Sequence, residues 1–233
     1  MIRFTAILPA AGRSTRFGGS RNKLIESLAG RPVIVHSIAA FLCRSDVAQV
    51  VIPTQDAPGL MQVLRPFFGD VLDPRIQFCA GGQTRAHSVR SGVAAADPSV
   101  EWVAVHDAAR PLISQELIDQ TLDLAVAHGA AVPALPVHLT VKQARGPLPA
   151  AVSRTIPRDM LWAMQTPQIA RREALLRAFE TCPISLDQIT DDMQLIELAG
   201  GEVWLVPGDE RNLKITTAMD LRIAEMMVGE TRG

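Results

Sequence analysis

Tyrosine is absent from this 233-residue chain, and aromatic residues make up only 4 % of it. A surface that stacks nucleobases in series needs aromatic platforms, and few are present. An excess of one charge is also lacking: 23 basic and 24 acidic side chains leave a formal net charge of -1. That balance predicts no electrostatic footprint for nucleic acid. The three cysteines, Cys43, Cys79 and Cys182, are widely spaced and contain no CxxC pair. This argues against a disulfide framework and fits a reducing compartment, with the thiols as small buried hydrophobes. No apolar run approaches membrane-spanning length, and Met1 leads into a strand-like run with no signal-peptide pattern. A cytoplasmic protein with no membrane and no nucleic-acid partner is expected.

Apolar residues are plentiful at 48 %, with 20 % charged, which suffices for a sizeable core. Strand-like and helix-like segments alternate. FTAILP, VAQVVIP (with Pro53 stopping it), RIQFCA, WVAVHD and GAAVPALPV read as strands. Residues 32–42, 84–96 and 114–128 read as helices, the last capped by Ser114. The strands are almost continuously apolar, as strands buried on both faces must be. The order predicts an α/β fold, a mostly parallel central sheet with helices on both faces, whose ligands gather beyond the carboxyl ends of the strands. PAAGRSTR, AGGQTR and HDAARP stand at those ends.

Residues 137–156 break the rhythm. HLTVKQ and AAVSRTI alternate around RGPLP, predicting a β-hairpin. Two strands alone are marginal in water, so this arm needs another surface, either a partner subunit or its own domain. A helix over residues 171–179 follows. A further helix has Thr190 as cap and Met193, Ile196 and Leu198 as its apolar face. A strand, a polar turn, a second short strand containing Lys214 and a terminal helix close the chain. Trp102, Trp162 and Trp204 read as packing residues. The expected organisation is one domain over residues 1–233, with the arm as a projection.

The stretch PAAGRSTRFGGSRNK at residues 9–23 is the densest chemical signal. The dinucleotide fingerprint G-x-G-x-x-G fails, because Ser14 and Phe17 take its second and third glycine positions. The P-loop pattern is absent too. The general physics of a turn after a strand remains: backbone N–H groups can face anionic oxygens. Arg13, Arg16, Arg21 and Lys23 place four cations in eleven residues without an acid. Such a cluster is either solvated or meets an anion. Arg16 suits bidentate contacts and Lys23 a mobile point charge.

The same stretch resembles the opening signature of nucleotidyltransferases that activate sugar or polyol phosphates. GGQTRAHSV, HDAARP, LWAMQTPQ, ITDD and NLKIT follow it in order along nearly the whole chain. Together they resemble the 2-C-methyl-D-erythritol 4-phosphate cytidylyltransferase family. The resemblance implies a modified Rossmann-like fold, a homodimer built through the β-arm, and Mg²⁺ as the ion. It also implies transfer of a cytidylyl group from CTP to a polyol phosphate, with release of pyrophosphate. By motif, Arg16, Lys23 and Lys214 would be catalytic. Ala10, Ala11, Gly12, Gly82, Gln83, Ser88 and Asp107 would bind the nucleotide, Asp107 also helping to place the metal. Arg110, Thr140, Arg158 and Thr166 would meet the acceptor.

The acceptor is already a phosphate and needs no strong side-chain base; the task is positioning and charge stabilisation. His106 is then a structural group, and Asp191 and Asp192 read as first-turn acids of their helix. Ser14 stands where relatives often have glycine, Gln83 where an acid is common, and Leu139 where aspartate often precedes the threonine. Leu139 cannot hydrogen-bond a polyol, so ribitol 5-phosphate stays open as an alternative acceptor. Two further readings compete: a catalytically silent nucleotide-binding regulator and a Rossmann oxidoreductase. Intact cations oppose the first. The second lacks the loop, and also the acid that should end the second strand.

Overall fold

The computed structural model describes residues 2–12, 17 and 22–230. In chain order these form β1 (Phe4–Ile7), β2 (Ser27–Leu28), β3 (Arg31–Pro32), α1 (Val33–Leu42), β4 (Val47–Thr54), α2 (Ala57–Phe68) and β5 (Ile76–Ala80). Next come α3 (Arg85–Ala95), β6 (Trp102–Val105), α4 (Gln115–His128), β7 (Ala130–Pro136), β8 (Val141–Ala144) and β9 (Val152–Ile156). The chain closes with β10 (Trp162–Met164), β11 (Gln168–Arg171), α5 (Arg172–Glu180), α6 (Asp192–Leu198), β12 (Trp204–Pro207) and α7 (Ala218–Glu230).

The expected α/β architecture is present. β5, β4, β1 and β6 run parallel in that order, and β11 then lies antiparallel between β6 and β7. β10 pairs with Ala134–Pro136 of β7 and β11 with Ala130 and Ala131, so both run along one edge of β7 while β12 runs parallel to it. All four residues of β1 are buried. Phe4 and Ala6 point into one apolar layer with α1, α2 and α4, while Ile7 points into the other with α3, α5 and α6. Burial on both faces explains the unbroken apolar strands. A third, smaller cluster joins Phe17, Leu28, Val33, Ile215 and Ala224, tying α7 to the start of the chain.

Several expectations need correction. β4 continues through Pro53 to Thr54. In a parallel ladder a residue's N–H and C=O face the same neighbour, and the Pro53 carbonyl accepts from the Ala10 N–H at 2.8 Å. The missing proline N–H therefore falls beyond the end of β1, where no ladder bond is lost. Helix α2 went unread because Pro58, Gly59 and Pro66 mask its period. Pro58 sits in the first turn, where a donor is not needed, and Asp56 caps the helix by accepting from the Gly59 N–H at 2.9 Å.

The cap of α6 is Asp191, which accepts from the Gln194 N–H at 2.9 Å, and not Thr190. Its inner face carries Leu195, fully buried, while Leu198 is exposed. The second short strand is absent: residues 211–217 form a turn and an irregular loop that brings Lys214 and Thr216 to the cleft. Only Trp102 is a core tryptophan; Trp162 and Trp204 are half-exposed, and Trp204 stacks on His128. Cys43 is exposed and Cys79 and Cys182 are partly so. The hairpin exists, as a separate two-stranded sheet of β8 and β9. No helix among the described residues is long and apolar enough to cross a membrane.

Candidate active site

A cleft of about 1120 Å³ opens beyond the carboxyl ends of β1, β4, β5 and β6. Residues 9–12, 22–24, 54–56, 82–85, 88, 107–109, 214 and 216 line it. Backbone bonds carry the strand order into the loops. Leu8 and Ala10 donate to Val51 and Pro53 at 2.9 and 2.8 Å, and Gly81 donates to Thr54 at 2.9 Å. The loops leave their strands side by side, which exposes backbone groups to one space. Gly82 must be glycine here, because a Cβ would overlap the Cβ of His87. The Gly82 N–H is held by Ser88 Oγ at 3.0 Å, and that hydroxyl donates to the Thr84 carbonyl at 3.0 Å.

Asp107, at the end of β6, is the electrostatic centre of the site. Its Oδ1 lies 3.1 Å from Arg85 Nε, and its Oδ2 lies 2.7 Å from Lys214 Nζ and 3.7 Å from Arg110 Nε. Burial pushes this carboxyl up, but Arg85, Lys214 and Arg110 more than offset that and hold it far below the usual carboxylate range. Arg85 also reaches back to Asp192 Oδ2 at 2.8 Å. Asp192 is completely buried, and its burial keeps its carboxyl above the usual value despite Arg85. Three cations thus surround Asp107, and one of them, Arg85, links it to Asp192.

The layer behind Asp107 is polar and interlocked. Thr166 Oγ1 accepts from the Asp107 N–H at 3.1 Å and lies 3.0 Å from His106 Nδ1. His106 Nε2 faces the Arg110 carbonyl at 3.0 Å. A carbonyl accepts only, so Nε2 carries the proton and Nδ1 accepts from Thr166. Burial lowers the pKa of His106 to about 4, consistent with a neutral ring. Arg110 Nη1 donates to the Asn212 carbonyl at 2.6 Å, and Asn212 Nδ2 donates to the Thr166 carbonyl at 2.8 Å. Ile215 donates to Ala109 at 2.8 Å. These bonds lash residues 212–215 to the end of β6 and deliver Lys214. Lys23 Nζ donates to the Ile215 carbonyl at 2.7 Å, so two lysines almost 200 positions apart meet at one cleft.

The 2-C-methyl-D-erythritol 4-phosphate cytidylyltransferase family matches residues 4–230. The chain belongs to this family. It is 38 % identical to the 2-C-methyl-D-erythritol 4-phosphate cytidylyltransferase of Pelotomaculum thermopropionicum, across 100 % of this chain and 97 % of that protein. It is 37 % identical to the one from Streptomyces avermitilis, across 99 % and 93 %. The crystal structure of 2-C-methyl-D-erythritol 4-phosphate cytidylyltransferase from Thermus thermophilus is similar with a TM-score of 0.75 at 32 % identity, covering 97 % of this chain and 98 % of that one.

For a member of this cytidylyltransferase family, the described residues named by motif fall into three groups. Ala10, Ala11, Gly12, Lys23, Gly82, Gln83, Ser88, Asp107 and Lys214 line the cleft. Arg110 and Thr166 are buried behind Asp107 and are not among the lining residues. Thr140 and Arg158 are exposed and belong to the arm and its base, outside the cleft. Arg16 lies outside the described residues, as does Ser14. Arg85, Asp192, Gln165 and Asn212 carry no site role in the sequence reading, where Asp192 is a first-turn acid, as it is at the start of α6. The first three lie in GGQTRAHSV, ITDD and LWAMQTPQ, and Asn212 opens NLKIT, so the resemblance covers all four without assigning them a contact. Gln165 clamps Asp209, accepting from its N–H at 3.1 Å and donating to its carbonyl at 2.8 Å.

Proposed function

We propose that this chain transfers the cytidylyl group of CTP to the phosphate of 2-C-methyl-D-erythritol 4-phosphate, giving 4-diphosphocytidyl-2-C-methyl-D-erythritol and pyrophosphate. The observation that carries this reading is that Lys23, Lys214 and Asp107 line one cleft of a family member, with Lys214 paired to Asp107. An acceptor phosphate oxygen attacks the α-phosphorus; that O–P bond forms and the bond to the bridging oxygen of the β-phosphate breaks. The nucleophile is already anionic, so no proton need be removed. What opposes reaction is repulsion between two anions, and cations held at fixed points reduce it. Lys214 is a third exposed and paired with a carboxylate, so it can exchange Asp107 for a phosphate oxygen. Arg16 and Lys23 would hold the triphosphate, with the backbone at Ala10, Ala11 and Gly12. Gly82, Gln83 and Ser88 would frame the base.

Magnesium would enter with the triphosphate. Among the described residues no group of three His, Cys, Asp or Glu side chains could hold a metal alone. Asp107 already faces Arg85 and Lys214. The fit is therefore to an ion that takes most ligands from phosphate and water, with Asp107 adding one oxygen or holding a coordinated water. Bound there, it would neutralise charge on the reacting phosphates.

The arm, residues 137–156, supports a homodimer in this reading. Leu139 and Leu148 are 82 % and 83 % exposed, and Thr140 and Arg158 stand outside the cleft. A second subunit would cover the leucines and receive Thr140 and Arg158 at its acceptor site, beside Arg110 and Thr166.

Purified protein given CTP and each acceptor, with pyrophosphate release measured, tests the reading. Rapid release is expected with 2-C-methyl-D-erythritol 4-phosphate. Release only with ribitol 5-phosphate would reassign the acceptor.

A further inference from the structure

On the wall of the cleft, Gly82 and Ser88 have their donors already committed. The Gly82 N–H goes to Ser88 Oγ and the Ser88 hydroxyl goes to the Thr84 carbonyl. Beside them stands Gln55, the first residue after β4, exposed and lining the same cleft. Its Nε2 lies 2.9 Å from the Gly81 carbonyl and 3.3 Å from the Gly82 carbonyl. Two acceptors on one side fix the orientation of the amide, because the Oε1 end cannot donate to either carbonyl. Oε1 is left without a hydrogen bond among the described residues, in a cleft-lining side chain. Apart from Gln83, whose amide can donate or accept, what this corner offers a ligand is acceptors: Gln55 Oε1, the Gly82 carbonyl and the remaining lone pair of Ser88.

We infer that Gln55 is a specificity-determining residue that reads the exocyclic amino group of the nucleotide base and so separates cytosine from uracil. The inference rests on the proposed use of CTP and deepens it. Cytosine presents an amino donor at its 4-position, whereas uracil presents a carbonyl acceptor there. An acceptor-rich wall satisfies the first and leaves the second facing lone pairs. Gln55 contributes twice: it supplies one acceptor, and through Nε2 it holds the Gly81–Gly82 turn in place. The residue is exposed, so its replacement spares the core.

The test compares CTP and UTP in the wild-type chain and in Gln55→Ala and Gln55→Leu. Binding of each nucleotide is measured by calorimetry, and kcat/KM by pyrophosphate release with saturating acceptor. Loss of one hydrogen bond to the base should lower the CTP-to-UTP preference by about tenfold. The loss should fall on CTP, with thermal unfolding unchanged. An equal loss for both nucleotides, leaving the ratio intact, would overturn the inference and reduce Gln55 to a support for the turn. A wild-type chain that binds CTP and UTP alike would overturn it as well. A chain that prefers CTP in binding, but fails to transfer to methylerythritol phosphate, would sink the acceptor reading and leave base recognition to be judged on the variants' binding ratios.

Discussion

The cleft and the arm are built on opposite principles. Around the cleft, polar groups are buried: His106, Asp192 and Asn212 have no exposed surface, and each has a named partner on another element, while Asp192 Oδ1 and Asn212 Oδ1 are buried without a hydrogen bond among the described residues. In the arm almost every residue of β8 and β9 is exposed, and its polar contacts run across its own two strands, as from Lys142 to Thr155 and from Arg154 to Gln143. The buried polar layer of the cleft is drawn from one chain. The arm has no such closure and keeps apolar side chains in water. Substitutions in the first region should therefore damage fold and function together, and those in the second should damage function with little effect on the fold of the chain.

The largest effect is expected at Arg85. Arg85→Ala strands Asp192 at zero exposure without its cation. Breaking a buried pair from one side costs about 3–5 kcal/mol. The already raised Asp192 carboxyl can take a proton, which places the loss toward the lower end. Urea unfolding at pH 7 measures it. The double variant Arg85→Ala/Asp192→Asn removes both charges and should recover most of the stability. Equal instability of single and double variants would show that the pair is not what holds this corner.

Lys214 separates the two kinds of damage inside the cleft itself. It is a third exposed, and its partner Asp107 keeps two other cations. Lys214→Ala should lower kcat/KM by about 10²–10³, the usual loss for one charge-stabilising donor. Unfolding stability should change by no more than about 1 kcal/mol. Unaltered turnover would remove Lys214 from the chemistry.

The two regions also differed in how plainly the sequence announced them. The parallel strands were legible because burial on both faces leaves unbroken apolar runs, and α4 because Ser114 caps a clean period. Helix α2 was hidden by prolines whose cost depends on their place in the helix. β10 and β11 are short, and they share one edge of β7 around residues 165–167, a geometry that no local pattern encodes. In the site, Asp107 and Lys214 could be named from HDAARP and NLKIT. Arg85 and Asp192 could not be paired in advance, since the contact joins the start of α3 to the start of α6, two helices on one face of the sheet but far apart in the chain. The hairpin of the arm was visible in its alternation, but exposure is decided by what surrounds it.

His106 extends the comparison to pH. Its ordinary pKa near 6.5 is lowered by burial to about 4. Below pH 6.5 the unfolded chain takes up a proton that the folded ring refuses, so stability present at neutral pH is lost as pH falls toward 4. The slope approaches about 1.4 kcal/mol per pH unit, for a total of about 3 kcal/mol. Unfolding free energies at pH 7 and pH 4.5 should fall less steeply in His106→Asn than in the wild type. Parallel curves would mean that the ring is not buried as a neutral base.

The smallest effect on a single chain is expected at Arg158, which donates to the His138 carbonyl at the base of the arm. Arg158→Ala should change unfolding by less than about 0.5 kcal/mol. If its guanidinium meets the acceptor's phosphate, acceptor KM rises by about tenfold while CTP binding holds. Complementation then tells whether it acts across subunits. In a hybrid of an Arg158→Ala chain with a Lys214→Ala chain, one site combines the intact cleft of the first with the intact arm of the second. At an acceptor concentration below KM, mixing should raise activity above the mean of the two variants, because both defects collect in the other site. If Arg158 serves its own cleft, every site keeps one defect and mixing restores nothing.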